Sequence, residues 1–256
     1  MAKGIIVLSE ARSGSNWLCS LTNRTGCLGT SAEWFNKTVF PAPLERGLDG
    51  AAYIRAVLEK GSTANGVFGL KIFSDQLFRF HERFGFDPLQ ELRRINDIRF
   101  LLLERRDRLR QAISLVRAMQ TRQWTRNDLK RGEASYDFER ICRAWFKLSS
   151  AFEFWHTYCL IRGIGDRRYV YEELSDDPRP WLGEYLDHMG ETVEISLKTG
   201  MTVQRDAQSD EWAERFTSEA RQSDILASAY QNAHARKLKN LRILFNKPIP
   251  DRHYFH

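Results

Sequence analysis

No apolar run in this chain approaches the roughly 20 residues that a membrane-spanning helix needs. The longest, Gly4–Leu8 and Ile98–Leu103, are strand-sized, so no transmembrane segment is expected. The four cysteines (Cys19, Cys27, Cys142, Cys159) include no CxxC pair and have no metal-type histidine spacing nearby. Reduced, buried thiols are expected, and no metal site. Proline is scarce, with 7 in 256 residues, and there is no repeat, low-complexity tract or linker. A single domain spanning 1–256 is the expectation. The apolar run after Met1-Ala-Lys is too short for a signal-peptide core and no small-residue cleavage site follows it, which points to the cytoplasm.

What is present is core material and positive charge. Hydrophobic residues make up 42%, and 16 Phe, 8 Tyr and 7 Trp suffice for a sizeable globular interior. The net charge is +6. The excess is concentrated: residues 93–131 hold 12 Lys/Arg against 4 Asp/Glu. Such a segment attracts anions, whether nucleic acid, an acidic membrane face or a small phosphorylated ligand, and composition does not choose among them.

The pattern along the chain alternates strands and helices. Gly4–Ser9 is a continuous apolar run with β-branched residues, the signature of a strand buried on both faces. A polar, glycine-containing turn follows (Glu10–Ser15), then Asn16–Leu21 with Trp17, Leu18 and Leu21 at helical spacing. Val67–Phe73, Ile98–Leu103 and Tyr169–Tyr171 read as further strands. Ala51–Lys60, Pro88–Asn96, Leu109–Trp124, Tyr136–Arg162, Pro180–Met189, Ser209–Phe216 and Ser223–Lys239 read as helices, with Ser209 as an N-cap. Gly26–Pro43 reads as irregular. The expected fold is α/β: a three-layer, P-loop-like parallel sheet flanked by helices, with a helical C-terminal part. Ligands on such sheets sit beyond the carboxyl ends of the strands, near the switch in strand order.

Four constellations can carry chemistry. In Glu10-Ala-Arg-Ser-Gly-Ser-Asn16, the Walker lysine pattern is missing, but the physics of an anion cradle remains. Gly14 lets the backbone approach an oxyanion, and the amides of Gly14–Trp17 open a helix whose N-terminal partial charge favours phosphate. Ser13 and Ser15 add hydroxyls, and Arg12 supplies a fork-shaped fixed charge. Alternatively, the segment is a capped helix start with a solvated Arg12. Arg106, in the turn after the third strand, and Ser114, two helical turns on, suit a second phosphate; an Arg-rich surface helix explains the same residues. Glu33, beside Trp34 and Phe35, is either a surface carboxylate or a general base; partial desolvation there is expected to raise its pKa. Lys71 falls inside a strand, so either it lies near the strand's end and points to a ligand or the strand is at an edge. Gln204-Arg-Asp206 lies just before the Ser209 helix.

Taken in order, these segments resemble the sulfotransferases that use 3′-phosphoadenosine-5′-phosphosulfate (PAPS). The resemblance is greatest to the bacterial trehalose-sulfotransferase group, related to the lipopolysaccharide and Nod-factor sulfotransferases. It is carried by Arg12-Ser-Gly-Ser15, Glu33-Trp-Phe35, Asn65–Lys71, Arg106 with Ser114, Arg117–Trp124 and Gln204–Trp212. Val203 departs from the arginine usual at that position, and Phe40–Ala64 contains no matching acceptor-binding motif.

The resemblance implies an enzyme that moves a sulfuryl group from PAPS to a hydroxyl of a sugar or glycolipid. Arg12, Ser13, Gly14, Ser15, Asn16 and Trp17 would hold the 5′-phosphosulfate, and Arg106 and Ser114 the 3′-phosphate. Glu33 would be the base and Arg12 the catalytic cation, with no metal. Lys71 would touch the transferring group, and Phe35 and Trp124 could stack on a sugar ring. Dimerisation is a family expectation. A kinase-like phosphotransferase, a nucleotide-binding protein without turnover, and an RNA- or membrane-binding domain are the alternatives. The first would need a Walker lysine and an acidic magnesium ligand, for which Asp107 is the sole candidate. The last should interleave surface aromatics with the basic residues, but just Phe100 and Trp124 fall in 93–131, so no nucleic acid partner is expected.

Overall fold

Strand β1 (Lys3–Ser9) is the centre of the fold because its alternate side chains are apolar on both sides: Ile5 and Val7 enter one core, Ile6 and Leu8 the other. A computed structural model describes residues 2–125, 128–165, 167–193 and 207–222. The Gln204–Asp206 segment and the helix expected over Ser223–Lys239 lie outside the described residues. After β1 the order is α1 (Ser15–Arg24), α2 (Ala42–Glu45), α3 (Gly50–Gly61), β2 (Phe68–Phe73), α4 (Ser74–Phe84), α5 (Pro88–Ile95), β3 (Asp97–Glu104), α6 (Arg108–Thr121), α7 (Phe138–Ile161), β4 (Arg168–Val170), α8 (Tyr171–Asp176), α9 (Arg179–Met189) and α10 (Ala207–Gln222).

The described residues group into two compact units. The first, 1–111 with 150–203, holds a four-stranded parallel sheet in the order β2-β1-β3-β4. This is the helix-flanked parallel sheet expected from the sequence. One face packs on α3, α4, α5 and the later part of α7, through residues such as Ile54, Val57, Leu77, Phe80, Leu89, Leu92, Phe152 and Trp155. The other packs on α1, α8 and α9 through Leu18, Leu21, Leu174, Trp181, Leu182 and Tyr185. Each fully buried Leu, Ile or Val contributes about 1.5–3 kcal/mol, so β1 anchors both layers. The chain leaves β1 toward β2 on one side and crosses back to β3 on the other. The switch in strand order therefore falls between β1 and β3, at the turns beginning with Glu10 and Arg105.

Helix starts follow local chemistry. Asp49 caps α3 by accepting from Ala52 N at 2.7 Å; Asp87 caps α5 by accepting from Leu89 N at 2.9 Å, with Pro88 in the first turn. Asp107 Oδ1 accepts from Arg110 N at 2.9 Å at the start of α6. The second unit is 112–149 with 204–256. Its described helices pack through aromatics, with Phe138 stacked on Phe216 at 4.6 Å and Tyr136 edge-on to Trp212 at 5.8 Å.

The sequence reading differs from the structure at three points. Helices α4 and α8 follow β2 and β4 without an intervening turn, and Tyr171 opens α8 instead of closing β4. Ser209 is not an N-cap: α10 begins at Ala207, and Ser209 is a buried residue whose hydroxyl accepts from Arg117 of α6. All four cysteines are free and buried, as expected. Among the described residues no helix is long and apolar enough to cross a membrane.

Candidate active site

The turn after β1 is built to present amides. Arg12 has φ 63°, a left-handed conformation that costs an L-residue roughly 1–2 kcal/mol. Gly14 has φ 91° and is the N-cap of α1, with no side chain capping the helix. The first turn-to-helix bond is Leu18 N to Gly14 O at 3.1 Å, so the amides of Gly14 to Trp17 precede the helical ladder. Gly14 is also required sterically, since a Cβ there would lie 2.1 Å from Cδ2 of Tyr171. That ring packs edge-on against Trp17, with centroids 5.7 Å apart. Ser13 is fully buried, and among the described residues its Oγ has no hydrogen-bond partner. A buried, unsatisfied hydroxyl beside open amides suits an anionic oxygen.

A second turn is latched to the first. Arg105 donates from Nη1 to Arg12 O at 3.2 Å, and Gln111 donates from Nε2 to Ala11 O at 2.8 Å. The loops after β1 and β3 thus lie side by side on one rim. The first turn of α8 joins them: Glu172 accepts from Arg106 N at 2.9 Å and Asp107 N at 3.3 Å, and Glu173 pairs with the exposed Arg106 guanidinium. Burial lifts the Glu172 pKa, but these amides and Arg105 outweigh it and hold the carboxylate below its ordinary value. Ser114 is half-buried on α6, in the second unit.

Glu33 is held from three sides. Its neighbours Trp34 and Phe35 are buried. Trp34 Nε1 donates to Thr30 O and Gly69 O, and Phe35 packs against Tyr53 and Phe80. Lys71 N donates to Ala32 O at 2.9 Å, which lays this segment along the edge strand β2. The Glu33 carboxylate then accepts from Lys71 Nζ at 3.0 Å, Gln76 Nε2 at 2.7 Å and Asn36 Nδ2 at 3.0 Å. Its side chain is 18% exposed. Burial raises its pKa, but the Lys71 charge and the three hydrogen bonds overcome this, and the net direction is downward. The upward shift expected from Trp34 and Phe35 is therefore corrected: the decisive partner is a cation 38 positions away in sequence.

Of the two readings of Lys71, the structure shows the edge strand: β2 is at the sheet edge. The Lys71 ammonium is buried and also donates to Asn16 Oδ1 at the start of α1. Among the aromatics, Phe35 is a core residue at 8% exposure, so its ring backs Glu33 and is not presented to a sugar. Trp124, in the second unit, is 46% exposed.

Sequence reasoning overlooked four residues here. Arg105 is the more buried neighbour of Arg106, and Tyr171 fills the space left by Gly14. Gln76 accepts from Phe73 N and donates to Glu33. Glu10 accepts from Ser74 N and Trp155 Nε1, both at 3.0 Å, and burial pushes its pKa up. A buried acid directly after a strand was the one available signal for Glu10.

Residues 4–219 match the Stf0 sulphotransferase family. The chain is 26% identical to a trehalose 2-sulfotransferase of Mycobacterium tuberculosis over 252 residues, covering 84% of this chain and 94% of that one. It is also 26% identical to a trehalose 2-sulfotransferase of Mycolicibacterium smegmatis, covering 86% and 96%. Among solved structures, the sulfotransferase domain of the Synechococcus PCC 7002 olefin synthase aligns with 16% identity and a TM-score of 0.37, covering 84% of this chain and 94% of that one.

Proposed function

The chain belongs to the Stf0 sulphotransferase family, and we propose that it transfers the sulfuryl group of PAPS to a hydroxyl of a carbohydrate or glycolipid, with Glu33 as general base. The observation that carries this reading is the double contact of Lys71 Nζ with Asn16 and Glu33: a carboxylate stands one side chain away from an amide-lined turn. The donor suits the residues present. Its 5′-phosphosulfate would lie on the amides of Gly14, Ser15, Asn16 and Trp17, with the unsatisfied Ser13 hydroxyl and Arg12 beside it. Arg106 and Ser114 are assigned to its 3′-phosphate by the family resemblance. The acceptor class rests on the similarity to trehalose 2-sulfotransferases, with Trp124 as its assigned contact and Lys71 assigned to the substrate side at the transferring group.

In this reading the acceptor oxygen bonds to sulfur while the bond from sulfur to the bridging phosphate oxygen breaks. The hydroxyl proton passes to Glu33, and the electron pair leaves with adenosine 3′,5′-bisphosphate. A positioned base contributes about 10²–10⁴-fold. Arg12 and the open amides stand where charge grows on the leaving phosphate, fixed in place before the reaction. Two measurements test the proposal. Thermal shift at fixed salt should show stabilisation by adenosine 3′,5′-bisphosphate and not by ATP; equal shifts would refute the donor. Labelled PAPS should mark trehalose or another sugar hydroxyl; label reaching no sugar or glycolipid in a broad screen would refute the acceptor class. We also propose a cytoplasmic homodimer, to be tested by light scattering and cell fractionation.

A further inference from the structure

Lys71 is a buried cation with two partners that serve different halves of the site. Its side chain is 5% exposed. Its Nζ donates to Asn16, within the amide-lined first turn of α1, and to Glu33 Oε1 at 3.0 Å. An ammonium has three protons and no acceptor, and it carries a compact charge that follows the strongest nearby anion. Asn16 is neutral, so with an empty turn the strongest claim on Lys71 is Glu33. An anion seated on the amides of Gly14–Trp17 would sit beside Asn16 and compete for the same ammonium.

Resting on the donor reading above, we propose that Lys71 is a donor-sensing positioning residue: it pairs with Glu33 while the turn is empty and turns to the donor when the turn is filled, releasing the carboxylate to act as base. Three other groups face Glu33. Gln76 of α4 and Asn36 of the following loop are amides that do not ionise. The Cys19 thiol of α1 is pushed up to about 11 by burial, with the Glu33 charge adding to and Lys71 opposing that shift, so it stays neutral at physiological pH. Lys71 is thus the cation that holds the proton affinity of Glu33 down. Once it turns away, burial is no longer opposed by that charge, and the carboxylate becomes a stronger base. The empty enzyme then presents a weak base, and the loaded enzyme a strong one.

The linkage can be read directly as protons. Calorimetric titration of PAPS without acceptor, in buffers of different ionisation enthalpy across pH 4.5–7.5, reports proton uptake on binding. The wild type should take up more protons than Glu33→Gln, by up to about one. The 3′-phosphate's own titration is common to both and cancels. Lys71→Gln and the apolar Lys71→Met should each lose the extra uptake; two variants are measured so that one failing to fold leaves the other. Equal uptake by wild type and Glu33→Gln overturns the switch, as does undiminished uptake in either Lys71 variant. Absence of PAPS binding by the folded wild type would instead overturn the donor reading itself, a distinguishable result.

Discussion

Replacing Gly14 by alanine separates two demands that the turn after β1 makes on one residue. At φ 91° an alanine pays about 1–2 kcal/mol for the left-handed backbone. Its Cβ would also lie 2.1 Å from Cδ2 and 2.5 Å from Cε2 of Tyr171, far inside the ~3.5–4.0 Å of ordinary carbon contact. The ring must move, yet it is packed edge-on to Trp17 and faces the Arg105 guanidinium 6.0 Å away. Overpacking of this kind costs typically 1–3 kcal/mol. Gly14→Ala should therefore lose about 2–5 kcal/mol, a large part of a typical folding stability, and lower Tm by roughly 4–20 °C. It should also weaken adenosine 3′,5′-bisphosphate binding. In a Tyr171→Ala background the overlap disappears and the backbone cost remains, so the same substitution should cost just about 1–2 kcal/mol. The assay is thermal or urea unfolding of the four proteins of this cycle. Identical losses in both backgrounds would refute the claim that glycine makes room for Tyr171. No loss in either would mean that the turn does not hold this conformation.

Three further outcomes follow from the same geometry. Glu33→Gln should keep bisphosphate affinity within a few-fold and lower kcat by about 10²–10⁴; wild-type turnover would remove Glu33 as base. Arg106→Ala should weaken adenosine 3′,5′-bisphosphate binding about 10–100-fold more than binding of an analogue without the 3′-phosphate, the worth of a charge-assisted hydrogen bond; equal loss would put that phosphate elsewhere. Glu10 has a folded-state pKa above its ordinary 4.5, so its protonated form favours the fold below that value, and this stability is lost as pH rises through the folded pKa. Glu10→Gln should thus be at least as stable as wild type at pH 7, with the advantage closing as pH falls toward 4.5, read from Tm across pH. A constant deficit at every pH would contradict this.

The legible parts of the fold were those where local pattern and tertiary role agree. β1 announces itself because a doubly buried strand must be continuously apolar, and the turn behind it because glycine and serines between a strand and an amphipathic helix have few other uses. α4 was illegible for the opposite reason: Ser74–Phe84 follows β2 without a glycine, proline or other break, so no boundary is written locally. The proton affinity of Glu33 was misjudged because the cation that governs it arrives from another strand. Arg106 was singled out over Arg105 from spacing and family resemblance, whereas the bond to Arg12 O depends on which of two adjacent side chains turns inward. Phe35 illustrates the same limit, since an aromatic beside a candidate base reads equally as ligand platform or as anchor, and packing decides for the anchor.

That anchoring has an engineering consequence. Trp34 and Phe35 fasten the Glu33 carboxylate, the proposed base, from beneath, while Lys37, Thr38 and Val39 just beyond it are exposed. Randomising those three positions would redraw the surface next to the carboxylate without loosening its foundations, which makes this short stretch a natural place to retarget the enzyme to a new alcohol.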